Sequence, residues 1–365
     1  GMRIALVSAA NSVHTVRWAN AFARRGHSVC VISCANHVAK IDSMPYDDAV
    51  EIKYLKFPTP HGYYLNAIEL RQVLKKGHFD VVNVHYASGY GTLGRLAGAK
   101  HALLNVWGSD VYEFPYQSKF AERVVRKNLK YYDHLASTSI CMAKQASNFT
   151  SKVFYITPFG VDLSKFKPIE GLKDGSAILF GTVKTLAPKY GISDTIMAFI
   201  DLHRRMLKED SVVADRLKYE IYGDGPQKDE LQKLIEDNGY SERIKLCGYV
   251  QNDKLPWVLN RFDIACYGSV SDSESFGVAA VEAMACGIPV IASDADGFKE
   301  VIEDGVSGII VPKGDIGAIA DAMYSLLAAP AERIRLGKNA IDRVGKLYDW
   351  DKNVDAMLCI YERVK

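Results

Sequence analysis

The stretch Ser273-Glu-Ser-Phe-Gly-Val-Ala-Ala-Val-Glu-Ala-Met-Ala-Cys-Gly-Ile-Pro-Val-Ile-Ala292 reads as a polar loop, a short helix and a buried strand. Ser275 is placed to cap a helix opened by Phe276-Gly277. Val278, Val281 and Ala285 recur at spacings of three and four, which gives that helix its core face. Gly287 ends it, and Ile288-Pro289-Val290-Ile291 starts the next strand. Two acids break the apolar run, Glu274 in the loop and Glu282 inside the helix. A carboxylate in so apolar a helix is costly unless something binds it. The helix N-terminus offers backbone N–H groups and the positive end of a dipole, which suits a phosphate. Acids on either side of an anion site fit a nucleotide-sugar, with its phosphates on the amides and its hydroxyls on the carboxylates.

Around this segment, strands alternate with helices. In the first half the strand candidates are 3–8, 28–33, 50–57, 80–85, 101–106, 134–137 and 152–156, with helical patterns at 15–25, 65–76 and 119–131. Pro158 to Pro168 carries Pro and Gly and has the composition of a linker. The alternation then restarts, with strands at 177–182, 217–222, 244–246, 263–266, 289–292 and 308–311. Helices are expected at 193–207, 228–238, 276–286, 315–328 and 331–344. The expected fold is α/β, with two successive doubly wound, Rossmann-like domains whose ligands lie at the carboxyl ends of the strands, in a cleft between the domains.

A chain of 365 residues, 48% hydrophobic and 24% charged, suits a globular protein of two domains. No apolar run reaches the length of a membrane span, and the N-terminus has no signal-peptide pattern. The cysteines at 30, 34, 141, 247, 266, 286 and 359 are scattered without a C-x-x-C pair and read as reduced core residues. A cytoplasmic location follows as the expectation, with association at the inner face of the membrane left open. The net charge of +2 hides an asymmetry. Residues 1–163 hold 19 Lys+Arg against 11 Asp+Glu (+8), and the remainder 26 against 32 (−6). A basic first half suits an anionic partner such as a phosphorylated acceptor or a membrane surface, or is diffuse solvated charge. Zinc-finger spacing and RNA-binding aromatic motifs are lacking, so no nucleic-acid partner is expected.

The segment Phe180-Gly-Thr-Val-Lys-Thr-Leu-Ala-Pro-Lys-Tyr-Gly191 runs from a strand end into a loop with two lysines and two glycines. Lysine serves a phosphate as a mobile point charge, and glycine allows close backbone approach. This loop, with the pattern E-x-F-G, a second Glu eight positions after the first, then Gly-x-Pro-Val, resembles the retaining GT-B glycosyltransferases of family 4. The resemblance covers nearly the whole chain and most strongly 155–312. It implies a first domain over 1–163 that receives the acceptor, a nucleotide-sugar domain over 164–349, and a last helix, 350–365, crossing back onto the first domain. Trp350 and Tyr361 are expected to anchor that helix.

By the same resemblance the reaction is transfer of a hexosyl group from a nucleotide-sugar to an acceptor hydroxyl, with retention, in cell-surface glycan synthesis. Catalysis is implied for Glu274 on the donor sugar, for Lys184 (in the place of the family's Arg) and Lys189 on the pyrophosphate, and for Asp110. Donor binding is implied for amides at Phe276, Gly277 and Val278, for Glu282 on the ribose, for Tyr249 beside the base, and for Gly223 in the turn Tyr222-Gly-Asp-Gly-Pro226, which is as well read as a plain strand–helix turn. On the acceptor side Val106-Trp-Gly-Ser-Asp110 is similar to the family's H-G-x-D, with Trp107 where His is common. Trp107 is then a surface for a sugar face, and Asp110 orders the loop or accepts a hydroxyl. His85, Asn11 and His14 are further acceptor-side candidates, His85 more often a structural strand-end residue. The acceptor is a glycan or lipid-linked intermediate, anionic by the charge argument.

No metal and no cofactor are expected, the nucleotide-sugar being a substrate. None of the nine histidines lies beyond 203, and Asp294-Ala-Asp296 is better read as a turn. Two alternatives remain at this point: a nucleotide-sugar epimerase of the same fold, and a non-catalytic nucleotide-binding protein. A dinucleotide-dependent oxidoreductase is disfavoured, because the first strand ends in Ser-Ala-Ala-Asn rather than G-x-G-x-x-G.

Overall fold

The computed structural model describes residues 1–40, 44–274 and 276–365. The chain divides into two compact units, Gly1–Pro158 with Asp351–Lys365, and Phe159–Trp350. The first junction falls ahead of the expected 163/164 boundary because Phe159 and Val161 already pack in the second unit. The Phe159 ring meets Phe276 edge-on at 5.4 Å, and the Val161 N–H donates to Tyr348 O at 2.9 Å.

Among its described residues the first unit holds seven parallel strands: β1 (Arg3–Val7), β2 (Ser28–Cys34), β3 (Glu51–Leu55), β4 (Val81–His85), β5 (Ala102–Val106), β6 (His134–Ser137) and β7 (Phe154–Ile156). Their order is β3-β2-β1-β4-β5-β6-β7. β1, β4 and β5 are buried along almost their whole length on both faces, as helices on each side of a parallel sheet require. The second unit holds β8 (Ile178–Val183), β9 (Leu217–Tyr222), β10 (Ile244–Gly248), β11 (Ile264–Tyr267), β12 (Val290–Ser293) and β13 (Ile309–Val311), in the order β10-β9-β8-β11-β12-β13. In each sheet the order reverses beside the first strand, between β1 and β4 and between β8 and β11. The crevice outside the strand ends at such a reversal is where doubly wound sheets take ligands.

Helix Trp350–Val364 belongs to the first unit from Asp351 onward. Arg25 bridges to Asp355 at 2.9 Å and Asp351 at 3.3 Å. Tyr361 meets Phe22 ring to ring at 5.2 Å and donates its hydroxyl to Asn83 Oδ1 at 2.5 Å. Tyr361 therefore anchors the helix as expected, whereas the Trp350 N–H donates to Val161 O, within the second unit. The helix expected over 65–76 is two, Gly62–Leu65 and Ala67–Gly77. Asn66 separates them because its side chain holds the Phe57 backbone, accepting from its N–H at 2.9 Å and donating to its carbonyl at 2.8 Å. Cys247 and Cys359 are exposed, against the expectation of core cysteines, while Cys30, Cys34, Cys266 and Cys286 are buried.

Candidate functional site

In the second unit, β8 delivers Lys184 and β11 delivers the loop bearing Glu274, so the two flank the reversal of strand order. Lys184 Nζ lies 2.7 Å from Glu274 Oε2, with side-chain exposures of 16% and 8%. Ser269 Oγ donates to the same carboxylate oxygen at 3.3 Å, and the Glu274 carbonyl accepts the Gly297 N–H at 2.7 Å. Lys184 Nζ and Lys189 Nζ both stand over the Tyr190 ring, 4.6 and 5.2 Å from its centroid. An aromatic face is attractive to a cation, so the ring gathers both ammonium groups at one place. Lys189 is exposed, and its carbonyl is fixed by the Val270 N–H at 2.9 Å.

The helix that follows runs Val278–Ala285 and starts two residues later than expected. Gly277 is its N-cap, in the left-handed region at φ 73°, a conformation that a glycine supplies at little cost. Gly277 has no side chain to turn back on the first turn, so those amides lack an intrahelical partner. Ser275, expected as the cap, lies outside the described residues. Phe276 is a core side chain, its ring edge-on to Phe159 and to Tyr348 at 5.5 Å, so any ligand contact at this position falls to its backbone. Val278 and Glu282 are partly exposed on the helix.

Gly223 stands at φ 144°, where a Cβ would come within 1.9 Å of the Lys184 carbonyl. The Lys184 N–H donates to Tyr222 O and the Leu186 N–H to Asp224 O, both at 2.9 Å. The glycine turn thus seats the lysine loop against the end of β9, the strand–helix turn that the sequence allowed. Tyr249 follows β10 and is 67% exposed, an open aromatic face. Asp294 Oδ1 accepts the Lys313 N–H at 3.0 Å, and Asp296 opens helix Asp296–Val301 and pairs with Lys299 at 3.7 Å. Among the described residues no group of three His, Cys, Asp or Glu side chains is set to hold a metal.

The first unit gathers its candidates at its own reversal. Trp107, after β5, has its ring 4.5 Å from His85, 5.2 Å from His14 and 5.1 Å from Tyr86. Asp110 is buried, and its carboxylate accepts the N–H groups of Ala87 (2.8 Å), Gly108 (2.9 Å) and Trp107 (3.1 Å). Burial raises its pKa against the pull of those amides. Of the two roles the sequence left for Asp110, its contacts display the ordering of the loop.

His85 is 1% exposed, and its hydrogen bonds fix its tautomer. Asn83 Nδ2 donates to Leu103 O and Asn105 Oδ1, which leaves Asn83 Oδ1 to accept from both Tyr361 and the His85 Nε2–H (3.2 Å). His85 Nδ1 then accepts the Ser8 hydroxyl at 3.1 Å, and Ser8 accepts from Thr15 at 2.8 Å. Both nitrogens of His85 are thus engaged inside the sheet. Burial, with the nearby His14, pushes it down to about 3. Burial and the Arg17 charge push His14 down to about 3 as well. Asn11 lies partly exposed in the turn after β1.

Sequence reading missed Tyr190, Ser269 and the Asn83–Tyr361 contact. A tyrosine beside a phosphate-loop lysine was a visible signal for the first. The others depend on partners distant in the chain.

The profile of glycosyl transferases group 1 matches residues 164–343, and that of glycosyl transferase 4-like proteins matches residues 3–139. Phosphatidyl-myo-inositol mannosyltransferase of Mycobacterium leprae is 37% identical over 37% of this chain and 36% of its own. D-inositol 3-phosphate glycosyltransferase of Mycolicibacterium smegmatis is 26% identical over 96% of this chain and 86% of its own. The fold matches sucrose-phosphate synthase from Thermosynechococcus elongatus (TM-score 0.81, 20% identity, 100% and 99% of the two chains). It also matches Anabaena HepE in complex with UDP and glucose (TM-score 0.77, 16% identity, 100% of each chain). Each half of the chain thus meets its own family profile, in the order expected and on the expected fold, and the protein belongs to the family 4 glycosyltransferases of GT-B fold.

Proposed function

We propose that the protein transfers a sugar from a nucleotide-sugar to an acceptor hydroxyl with retention at the anomeric carbon. The anomeric C–O bond to the diphosphate breaks and its electron pair leaves with the diphosphate. The acceptor oxygen forms the new C–O bond and gives up its proton to the departing diphosphate oxygen. One observation carries this reading: Lys184, Lys189, Glu274 and the start of helix Val278–Ala285 lie where strand order reverses in the second domain. Two ammonium groups and a row of amides offset charge building on the departing diphosphate, the work a metal does in other transferases. Glu282 takes the ribose hydroxyls, Glu274 those of the sugar, and Tyr249 borders the base.

The first domain receives the acceptor, with the partly exposed Trp107 as the surface for its ring. An anionic glycan or lipid-linked acceptor agrees with the +8 balance of residues 1–163, and with relatives named for inositol phosphate and phosphatidylinositol. No described helix is long and apolar enough to cross a membrane, so membrane contact is peripheral in this reading. The test is a thermal-shift series with UDP-, GDP- and ADP-sugars, followed by transfer with the sugar that stabilises most. Stabilisation by none of them, and no transfer, would reject the reading.

A further inference from the structure

The hydroxyl of Tyr267 is unused in the site described above. Tyr267 ends β11, paired in register with Ala292 of β12, immediately before the loop that carries Glu274. Its neighbour Cys266 faces the core with Ile264, so by strand alternation Tyr267 points to the opposite side of the sheet. There its ring lies 6.1 Å from Phe298, the same ring that a Cβ on Gly277 would meet at 3.0 Å. This places Tyr267 under the start of helix Val278–Ala285. The residue is 3% exposed, and its oxygen is buried with no hydrogen-bond partner among the described residues. Buried hydroxyls almost always find a partner, because leaving one unpaired costs stability. After burial itself, the Glu282 carboxylate is the largest influence on Tyr267, and both effects raise its pKa. Cys286, one turn beyond Glu282 on the same helix face, acts on Tyr267 in the same direction, so that face is the one nearest the tyrosine.

We propose that Tyr267 is a positioning residue for Glu282: when a nucleotide binds, the tyrosine O–H donates to the Glu282 carboxylate and leaves its other lone pairs facing the ribose hydroxyls. The inference rests on the assignment of Glu282 to the ribose. No bond is made or broken. In this reading the hydroxyl, unpartnered among the described residues, gains its hydrogen bond only in the complex, so stability is given up for binding. A tyrosine serves here because its ring packs beside Phe298 while its hydroxyl stays available as a donor.

The test uses the full chain with Tyr267→Phe, Glu282→Ala and the double variant. Each is followed by thermal unfolding without nucleotide and by calorimetric titration with UDP, GDP and ADP. Tyr267→Phe removes one oxygen and keeps the ring. The expected result is a ligand-free Tm equal to or above that of the parent, with nucleoside diphosphate binding weakened roughly tenfold. In the Glu282→Ala background the same change is expected to have no further effect, since its partner is gone. A lower ligand-free Tm with unchanged affinity would overturn the proposal, because the hydroxyl would then serve the fold alone. A tenfold loss that persists without Glu282 would overturn it too, placing the hydroxyl on the ligand itself. If Glu282→Ala weakens binding and Tyr267→Phe does not, the proposal fails and the ribose assignment stands. If Glu282→Ala leaves binding unchanged, the assignment fails and the proposal falls with it.

Discussion

In the second domain the ammonium of Lys184 lies 2.7 Å from the carboxylate of Glu274, both side chains largely buried. The two groups assigned to opposite ends of the donor therefore neutralise each other before it arrives. An incoming diphosphate has to share Lys184 with Glu274. Glu274→Gln keeps the shape and removes the competing charge. Binding of free UDP is expected to stay level or tighten, while transfer falls at least about a hundredfold because the sugar loses its charged partner. Calorimetry with UDP beside initial-rate kinetics measures both. Equal losses in the two would move Glu274 from the sugar to the nucleotide.

Glu282→Ala is expected to act on the nucleotide. A hydrogen bond to a charged group is worth ~1.5–3 kcal/mol, which corresponds to roughly 10–150-fold in affinity. The readout is the Kd for nucleoside diphosphate without any sugar attached, so that contacts of Glu274 do not enter. An unchanged Kd would remove Glu282 from the ribose.

The residues of the proposed donor half could be singled out because they lie in one stretch of sequence. Glu274, Gly277 and Glu282 are coupled through a single loop and helix, and their spacing is itself the signal. The contacts of Asp110 and His85 could not be singled out so, since they depend on partners farther along the chain: Ala87 for the first, Ser8 for the second. Helix Gly89–Leu96 escaped for a different reason. Its sequence, Gly-Tyr-Gly-Thr-Leu-Gly-Arg-Leu, has poor helix propensity. Yet a Cβ at Gly91 would sit 2.5 Å from Tyr86 O, and one at Gly94 2.3 Å from the Tyr132 hydroxyl. Packing selects the glycines there, and propensity gives way to it.

Turnover is expected to survive excess chelator. The carboxylates that mimic a metal-binding pair already have other partners, Asp294 on the Lys313 N–H and Asp296 on Lys299. In the proposed site two lysines and the helix amides supply the positive charge instead. Loss of activity in EDTA, restored by manganese or magnesium, would transfer the diphosphate to a cation held by these aspartates.

Acid is expected to destabilise the first domain through its buried histidines. His14 and His85 are both held down to about 3, against an ordinary value of 6.5. A folded pKa below the unfolded one means that the unfolded chain binds more protons as pH falls. The stability from keeping each ring neutral is complete above pH 6.5 and is lost progressively towards pH 3. Relative to pH 8, the loss at pH 5.5 is about 1.4 kcal/mol per histidine. His85→Asn is expected to flatten the dependence of unfolding midpoint on pH between 7 and 5. A slope as steep as the parent's would place the sensitivity elsewhere.

The last prediction concerns helix Lys119–Tyr131, capped by Ser118, whose side chain accepts the Ala121 N–H. Ala121, Val124, Val125, Asn128 and Leu129 are buried, which turns Lys119, Phe120, Arg123, Arg126, Lys127 and Lys130 to solvent. Glu122, bound to Arg126 at 3.2 Å, is the one acid on the helix. Phe120 is 66% exposed, and Tyr116 just ahead of the helix is 63% exposed. Basic side chains with an aromatic end suit an anionic bilayer surface, where the cations meet headgroups and the ring enters the interface. Association with anionic vesicles is expected to weaken as salt rises, because the screening length shortens from ~10 Å at 0.1 M to ~3 Å at 1 M. Arg123→Ala with Lys127→Ala is expected to weaken vesicle binding roughly thirtyfold, at about a factor of five per cation. Donor binding in the second domain should change little under either treatment, since Lys184 and Glu274 are largely desolvated. Co-sedimentation with anionic and neutral vesicles across a salt series, beside the Michaelis constants of both substrates, measures this. Absence of vesicle binding together with an acceptor constant that ignores salt would make the basic face ordinary solvated surface, and a neutral, soluble acceptor would then fit the protein better.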